Sequence, residues 1–268
     1  MAASFSLSSF SVLALCCALC VPARAADRID TDGPDFVEST ESVAKGRFQF
    51  ETGPQTTMDR RNGAHLTTTT TPLLLKAGVG NGGELRLETE GYTRSSGPDA
   101  ARAQSAGQVG MADTAIGFKW HTQDNQAGTM VPALAWIAHL ELPTGSPALR
   151  GLGLRPSLRA VIGWELPGDN TLGVMPGVKV DTREGGHRYF SGILGVVAGH
   201  WWTPRLRSFV EAQADSIARA QDGGVILYKN VGAAYVLSDD WQIGARAGWA
   251  ANNNTPSRYV MLSLAGRF

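Results

Sequence analysis

Along most of this chain apolar and polar residues alternate one by one. In DWQIGARAGW, Trp241, Ile243, Ala245, Ala247 and Trp249 fall on one side, and Gln242, Gly244, Arg246 and Gly248 on the other. In LRPSLRAVIGWEL, Leu154, Pro156, Leu158, Ala160, Ile162 and Trp164 alternate with Arg155, Ser157, Arg159, Val161, Gly163 and Glu165. A period of two over such lengths marks β-strands with one apolar and one polar face. Carried along the chain, the test predicts about twelve strands, at 47–54, 66–77, 83–92, 110–121, 129–142, 154–166, 170–181, 187–200, 205–215, 225–237, 240–249 and 258–268. The second, eighth and tenth alternate poorly, so their registers stay open. No later stretch is apolar for the ~18 residues that a membrane helix needs, and the predicted class is all-β.

The connections sort by length. Long ones (PQTTMDRRNGAH, TRSSGPDAARAQSAGQV, PTGSPALRGLG, SIARAQDGG, ANNNTPSR) take turns with short ones (GVGNG, TQDNQAG, PGD, the turn at TPR, and Ser238-Asp239). Transmembrane antiparallel up-and-down β-barrels have this asymmetry, with long loops outside and short turns in the periplasm. Alternation alone also fits a soluble barrel with its apolar face inward. The tryptophans favour the membrane version: Trp120, Trp164, Trp201, Trp202, Trp241 and Trp249 lie at or near predicted strand ends, where an aromatic girdle meets lipid headgroups. Trp136 falls mid-strand and breaks the girdle.

The first 25 residues add a compartment. An apolar run from about Val12 to Val21 precedes Ala23-Arg24-Ala25, a small-x-small cleavage pattern, so residues 1–25 read as a signal peptide for export. Cys16, Cys17 and Cys20 all lie within it, leaving the mature chain without a thiol or a cysteine metal ligand. Lys plus Arg (24) balance Asp plus Glu (24), so the basic field of a nucleic-acid-binding protein is missing. Residues 26–46 are acidic and aperiodic. They read either as a disordered N-terminal periplasmic segment or as a small plug in the lumen of a barrel built from residues 47–268.

No enzyme motif survives inspection. GVGNGG matches G-x-G-x-x-G, but ELRLETEGY after it is a strand rather than a helix, so Asn81-Gly82 reads as a hairpin turn. The five histidines, His65, His121, His139, His187 and His200, lack metal-ligand spacing, and no cofactor or metal is expected. His187 and Ser191 are the nearest approach to a barrel hydrolase's nucleophilic pair. Four residues along a strand separate them by about 13 Å, too far for a hydrogen bond. Strand parity instead predicts a charged lumen lined by Glu51, Arg86, Glu88, Glu90, Asp113, Lys119, Arg155, Arg159, Lys179, Glu211, Asp215 and Arg246. His139 and Glu141 share that side of the fifth strand.

PDFVESTESVAKGRFQFETG, Pro34 to Gly53, resembles the opening of a bacterial outer-membrane family labelled as transporters or as components of the phenol meta-degradation pathway. ELRLETEGY, GMADTAIGFKW, PALAWIAHLELPTGS and the terminal strand match in the same order. The family's usual arginine before Pro-Asp-Phe is Gly33 here. The resemblance implies a Gram-negative outer-membrane channel for small solutes, aromatic or other small organic compounds among them, and supplies no catalytic residues. A barrel hydrolase and a non-conducting structural or adhesion barrel are the alternatives. The expected partners are outer-membrane lipids, the transported solute, and the insertion machinery, to which a terminal aromatic such as Phe268 serves as an assembly signal. In RYVMLSLAGRF, Val260, Leu262, Leu264 and Phe268 should face the bilayer while the strand closes on Phe48 and Phe50.

Overall fold

The computed structural model of the chain describes residues 28–61, 64–97, 109–126, 128–183 and 185–268. The expected signal peptide lies outside them. Twelve strands run in chain order. β1 is Phe48–Thr52 continued by Gln55–Arg61, β2 is Ala64–Thr70 continued by Leu73–Gly80, β3 is Gly83–Thr89 continued by Tyr92–Ser96, and β4 is Val109–Met111 continued by Thr114–Gln123. The rest are β5 (Ala133–Leu142), β6 (Arg155–Leu166), β7 (Asn170–Thr182), β8 (Arg188–Thr203), β9 (Leu206–Ile217), β10 (Val225–Ser238), β11 (Trp241–Ala250) and β12 (Arg258–Arg267). Each pairs antiparallel with the next, and β12 pairs back onto β1, from Gln49↔Arg267 to Thr52↔Leu264 and again from Met261↔Gln55 to Arg258↔Met58. The sheet is therefore a closed barrel.

Its faces are inverted relative to a water-soluble fold. Lys119 and Glu84 are fully buried (0%), whereas Leu262 (59%), Val210 (58%) and Leu85 (53%) are exposed. Strand alternation sends the charges inward and a continuous band of Leu, Val, Ile and Phe outward. A monomer in water does not expose an apolar surface of that extent, but a barrel in hydrocarbon requires it. Val260, Leu262 and Phe268 share this outer face, as the alternation of the last strand predicts.

Local chemistry explains the turns. Asn81 and Gly82 both have positive φ (53° and 73°), the geometry of a two-residue hairpin, and β2 and β3 pair across it. The first long loop predicted from sequence is not a loop. PQTTMDRRNGAH instead continues β1 to Arg61 and opens β2 at Ala64. Thr56, Thr57 and Met58 lengthen β1, and Ala64 and His65 open β2, which the interruption at Gly53-Pro54 disguises in the sequence. Matching interruptions fall at Thr71-Pro72, Glu90-Gly91 and Ala112-Asp113, forming one row across β1–β4. Pro54 and Pro72 cannot donate to a ladder. At Gly53 any Cβ would lie 1.9 Å from the Leu262 carbonyl oxygen, so only glycine fits against β12.

Two tryptophans differ from expectation. β5 starts at Ala133 rather than at 129, so Trp136 sits three residues inside the strand, directly opposite Trp120. It thus belongs to the girdle. Trp201 turns inward, where the Arg28 guanidinium lies 4.2 Å from its ring centroid, while its neighbour Trp202 is exposed outside.

The seam between β1 and β12 carries more than its ladder. Phe268 N donates to Phe48 O at 2.8 Å, Phe48 N donates to Phe268 O at 3.1 Å, and the Phe268 ring stacks on Phe50 and meets the edge of Trp241. Asp240 bridges Arg47 (2.7 Å) and Arg267 (3.0 Å) across the same seam. Phe268→Ala is expected to cut the yield of heat-modifiable, folded barrel severalfold in a gel-shift assay; full yield would show that the seam closes without this ring.

Candidate functional site in the barrel interior

Residues 28–46 run inside the barrel. The segment starts at the short-turn end, where Ile29 N donates to Asp239 O (2.6 Å), and returns there, where Gly46 N donates to Gly78 O (2.9 Å). Between these points it rises into the lumen and meets charged residues that point inward from the wall.

Five residues predicted to line the lumen contact the segment, and a sixth, Arg246, backs one of them. Glu51 accepts from the Gly33 and Asp32 amides (2.8 and 3.0 Å). Lys119 reaches Asp32 at 2.6 Å and the Glu41 carbonyl at 3.2 Å. Arg86 reaches Asp32 (3.0 Å), Glu38 (2.7 Å) and Glu84 (3.2 Å), and Arg159 reaches the other oxygen of Glu38 at 2.7 Å. Glu211 accepts the Phe36 and Val37 amides (2.8 and 2.9 Å) on one oxygen, and Asn230 (2.8 Å) and Arg246 (3.4 Å) on the other.

The remaining six lie apart from it. Glu88 faces His139 at 3.3 Å, and Glu90, Lys179 and Asp215 border the space beyond the segment. Asp113 and Arg155 hold a loop: Asp113 accepts the Gly145 and Gly151 amides (both 2.7 Å) and pairs with Arg155 (2.6 Å), which also pairs with Glu141 (2.6 Å).

Sequence reasoning misses Lys76, Glu84 and the segment's own carboxylates, and leaves Arg207 out of the lining set although strand parity puts it on one face with Glu211 and Asp215. Lys76 pairs with Asp32 (3.0 Å) and Glu51 (2.6 Å), but it follows three leucines, so parity in that strand is unreadable. Glu84 shares the parity of Arg86, which could have found it; its carboxylate also accepts the Val43 amide at 2.9 Å. Arg207 pairs with Asp35 at 2.6 Å. Asp32, Asp35 and Glu38 belong to no strand and carry no periodic signal.

The interior is not polar all round, contrary to the simple parity picture. Val37 packs in a buried cluster with Ala135, Ile137, Val161, Met175, Val197 and Phe209, with Phe36 against it. Two wall glycines make room: a Cβ on Gly195 would lie 2.6 Å from Val37 Cγ2 and 3.0 Å from Phe36 Cδ1, and one on Gly173 would lie 3.0 Å from Val37 Cγ1. Amides, carboxylates and apolar side chains of one short segment therefore all find complementary wall.

Cavities lie on both sides of it. One of about 440 Å³ opens toward the long loops, bordered by Arg86, Glu88, His139, Arg159, Lys179 and Arg246 among others. The other, about 800 Å³, lies toward the short turns and is bordered by Arg28, Glu41, Thr171, Trp201 and Arg207.

The described residues offer little chemistry of other kinds. Glu41, His121 and Asp124 cluster, but His121 already bonds the Thr40 carbonyl through Nδ1 (2.9 Å) and Asp124 through Nε2 (3.0 Å). Ser191 Oγ is bonded to Ser216 Oγ at 2.9 Å, a partner that cannot act as a base.

Asp32 anchors the segment. Burial pushes its carboxyl up, but the charges of Lys119, Lys76 and Arg86 outweigh burial and hold it well below the usual carboxylate range. Its contribution is therefore complete above the ordinary carboxylate pKa of about 4 and fades only as pH falls through the lowered value. Removing one partner of a buried ion pair costs about 3–5 kcal/mol. Asp32→Asn should thus speed amide hydrogen exchange over residues 31–41 by about 100-fold or more. Glu41→Gln, with its side chain half exposed, should change it by less than about threefold. Equal protection in wild type and Asp32→Asn would contradict this anchoring.

An outer-membrane channel from Pseudomonas putida F1 superposes with a TM-score of 0.64 at 17% identity, over 86% of this chain and 98% of that one. The KdgM porin, solved in complex with disordered oligogalacturonate, gives 0.53 at 13% identity over 83% and 99%, and KdgM alone gives 0.52 at 14% over 81% and 99%. Identities this low establish a shared fold, that of outer-membrane channels. No curated protein sequence matches the chain. Residues 31–268 match the family described as "Putative MetA-pathway of phenol degradation", and the chain belongs to that family.

Proposed function

We propose that this protein is a passive outer-membrane channel for small organic solutes, aromatic compounds among them. The observation that carries this reading is a closed barrel with an apolar outside and a charged, partly hollow inside. Passage through such a barrel needs a hydrated path and charges of both signs that set a local field; no group on the wall has to react with the solute, and the protein acts without catalysis. The channel and porin that share its fold, and the phenol-degradation name of its family, support the choice of solute class. In this reading residues 1–25 direct export from the cytoplasm of a Gram-negative cell, the insertion machinery reads Phe268, and the apolar band contacts outer-membrane lipid.

Residues 28–46 act as a plug and set the resting conductance. Glu51, Arg86, Lys119, Arg159, Glu211 and Arg246 hold it, while Glu88, Glu90, Lys179 and Asp215 line the solute's path on the side of the long loops. Asp113 and Arg155 fix the loop at that mouth. Short turns face the periplasm, so a solute arriving from outside meets the smaller cavity first.

Planar-bilayer recording tests this reading. The full chain is expected to show small or brief steps, and a chain lacking residues 28–46 to show steps severalfold larger. Folded barrel that gives no steps in either form would favour a structural role instead.

A further inference from the structure

Resting on the channel reading above, we infer that Arg86 and Arg159 form a binding site for an aromatic carboxylate, and that the plug occupies it with an imitation of that ligand. The imitation is Phe36 and Glu38, a phenyl ring and a carboxylate two residues apart. The Glu38 carboxylate is gripped from two sides, by Arg86 Nη2 at 2.7 Å and Arg159 Nη1 at 2.7 Å, with its side chain 9% exposed. Arginine is the side chain favoured where a carboxylate has to be recognised. Beside them the wall is shaped for an apolar body: the bare Cα of Gly195 faces Phe36 and Val37 so closely that a Cβ would collide with both.

The charge count at this level shows why the occupant must be an anion. Lys76, Arg86, Lys119 and Arg159 point inward there against the wall carboxylates Glu51, Glu84 and Glu88, and Asp32 and Glu38 of the plug supply further negative charge. Withdrawing Glu38 leaves two guanidinium groups short of a partner in a confined space, which is costly. An arriving carboxylate removes that cost, so ligand entry and plug withdrawal are coupled. The wall also holds surplus donors for such a ligand: the buried Nε atoms of Arg86 and Arg159 have no hydrogen-bond acceptor. Lys179 borders the same cavity.

Benzoate is the probe, and calorimetry on the folded, full-length protein in detergent is the measurement. Glu38→Gln removes the internal competitor and should bind benzoate at least about tenfold more tightly than wild type. Adding Arg159→Gln to Glu38→Gln should abolish that gain, and Arg159→Lys, which keeps the charge but loses the fork, should restore only part of it. Cyclohexylmethanol, which has a ring but no charge, should not bind either protein. The site is overturned if Glu38→Gln binds benzoate no better than wild type, or if Arg159→Gln leaves the gain intact. The binding readout is independent of current. Benzoate binding as described in a protein that passes no current would sink the channel reading alone, whereas current with no benzoate binding would sink the site alone.

Discussion

Everything in this structure depends on the closure of β12 onto β1. An antiparallel sheet with a free edge leaves a row of N–H and C=O groups unpaired, and in hydrocarbon each costs several kcal/mol. Pairing Gln49–Thr52 with Leu264–Arg267, and Gln55–Met58 with Arg258–Met261, removes that edge on both sides of the break at Gly53-Pro54. Once the ring is closed, strand alternation has a single consequence. Every second residue meets lipid and must be apolar, and the others share a narrow interior from which bulk water is partly excluded.

That interior creates the second constraint. Charges placed there cannot be solvated by bulk water, so each needs a partner. The wall does not balance itself locally, and the chain's own N-terminal segment supplies what is missing. Asp32 sits among Lys76, Arg86 and Lys119, Asp35 meets Arg207, and Glu38 bridges Arg86 and Arg159. The same segment inserts Val37 into an apolar patch of the wall, around Val161, Met175 and Val197. The segment is thus held by complementarity of charge and shape and runs on covalently into β1 at Phe48. Such an element can be rigid at rest and still exchangeable for a solute that offers similar groups.

Much of this was legible in the residues. Alternation with period two located all twelve strands, because lipid and lumen impose opposite demands on successive side chains. The alternation of long and short connections marked the two ends of the barrel, except at the first long connection, which is strand. What escaped did so for physical reasons. β1–β4 are interrupted at one level, and PQTTMDRRNGAH reads as a loop because a glycine-proline pair hides its continuity with Phe48–Thr52. Lys76 was masked by Leu73, Leu74 and Leu75, where parity fails because an inward position near the plug is allowed to be apolar. Asp32 and Glu38 have no period at all: their role arises from the wall they meet, and only the folded chain brings them to Lys119, Arg86 and Arg159.

In the reading proposed above, residues 28–46 divide the lumen into two compartments with separate access. Cysteines placed at Ser157, which borders the cavity toward the long loops, and at Thr171, which borders the one toward the short turns, test it directly. A small charged thiol reagent added to the long-loop side of oriented proteoliposomes should label Ser157→Cys quickly and Thr171→Cys hardly at all, and should label both once residues 28–46 are removed. Rapid labelling of Thr171→Cys from the long-loop side in the full chain would contradict the account.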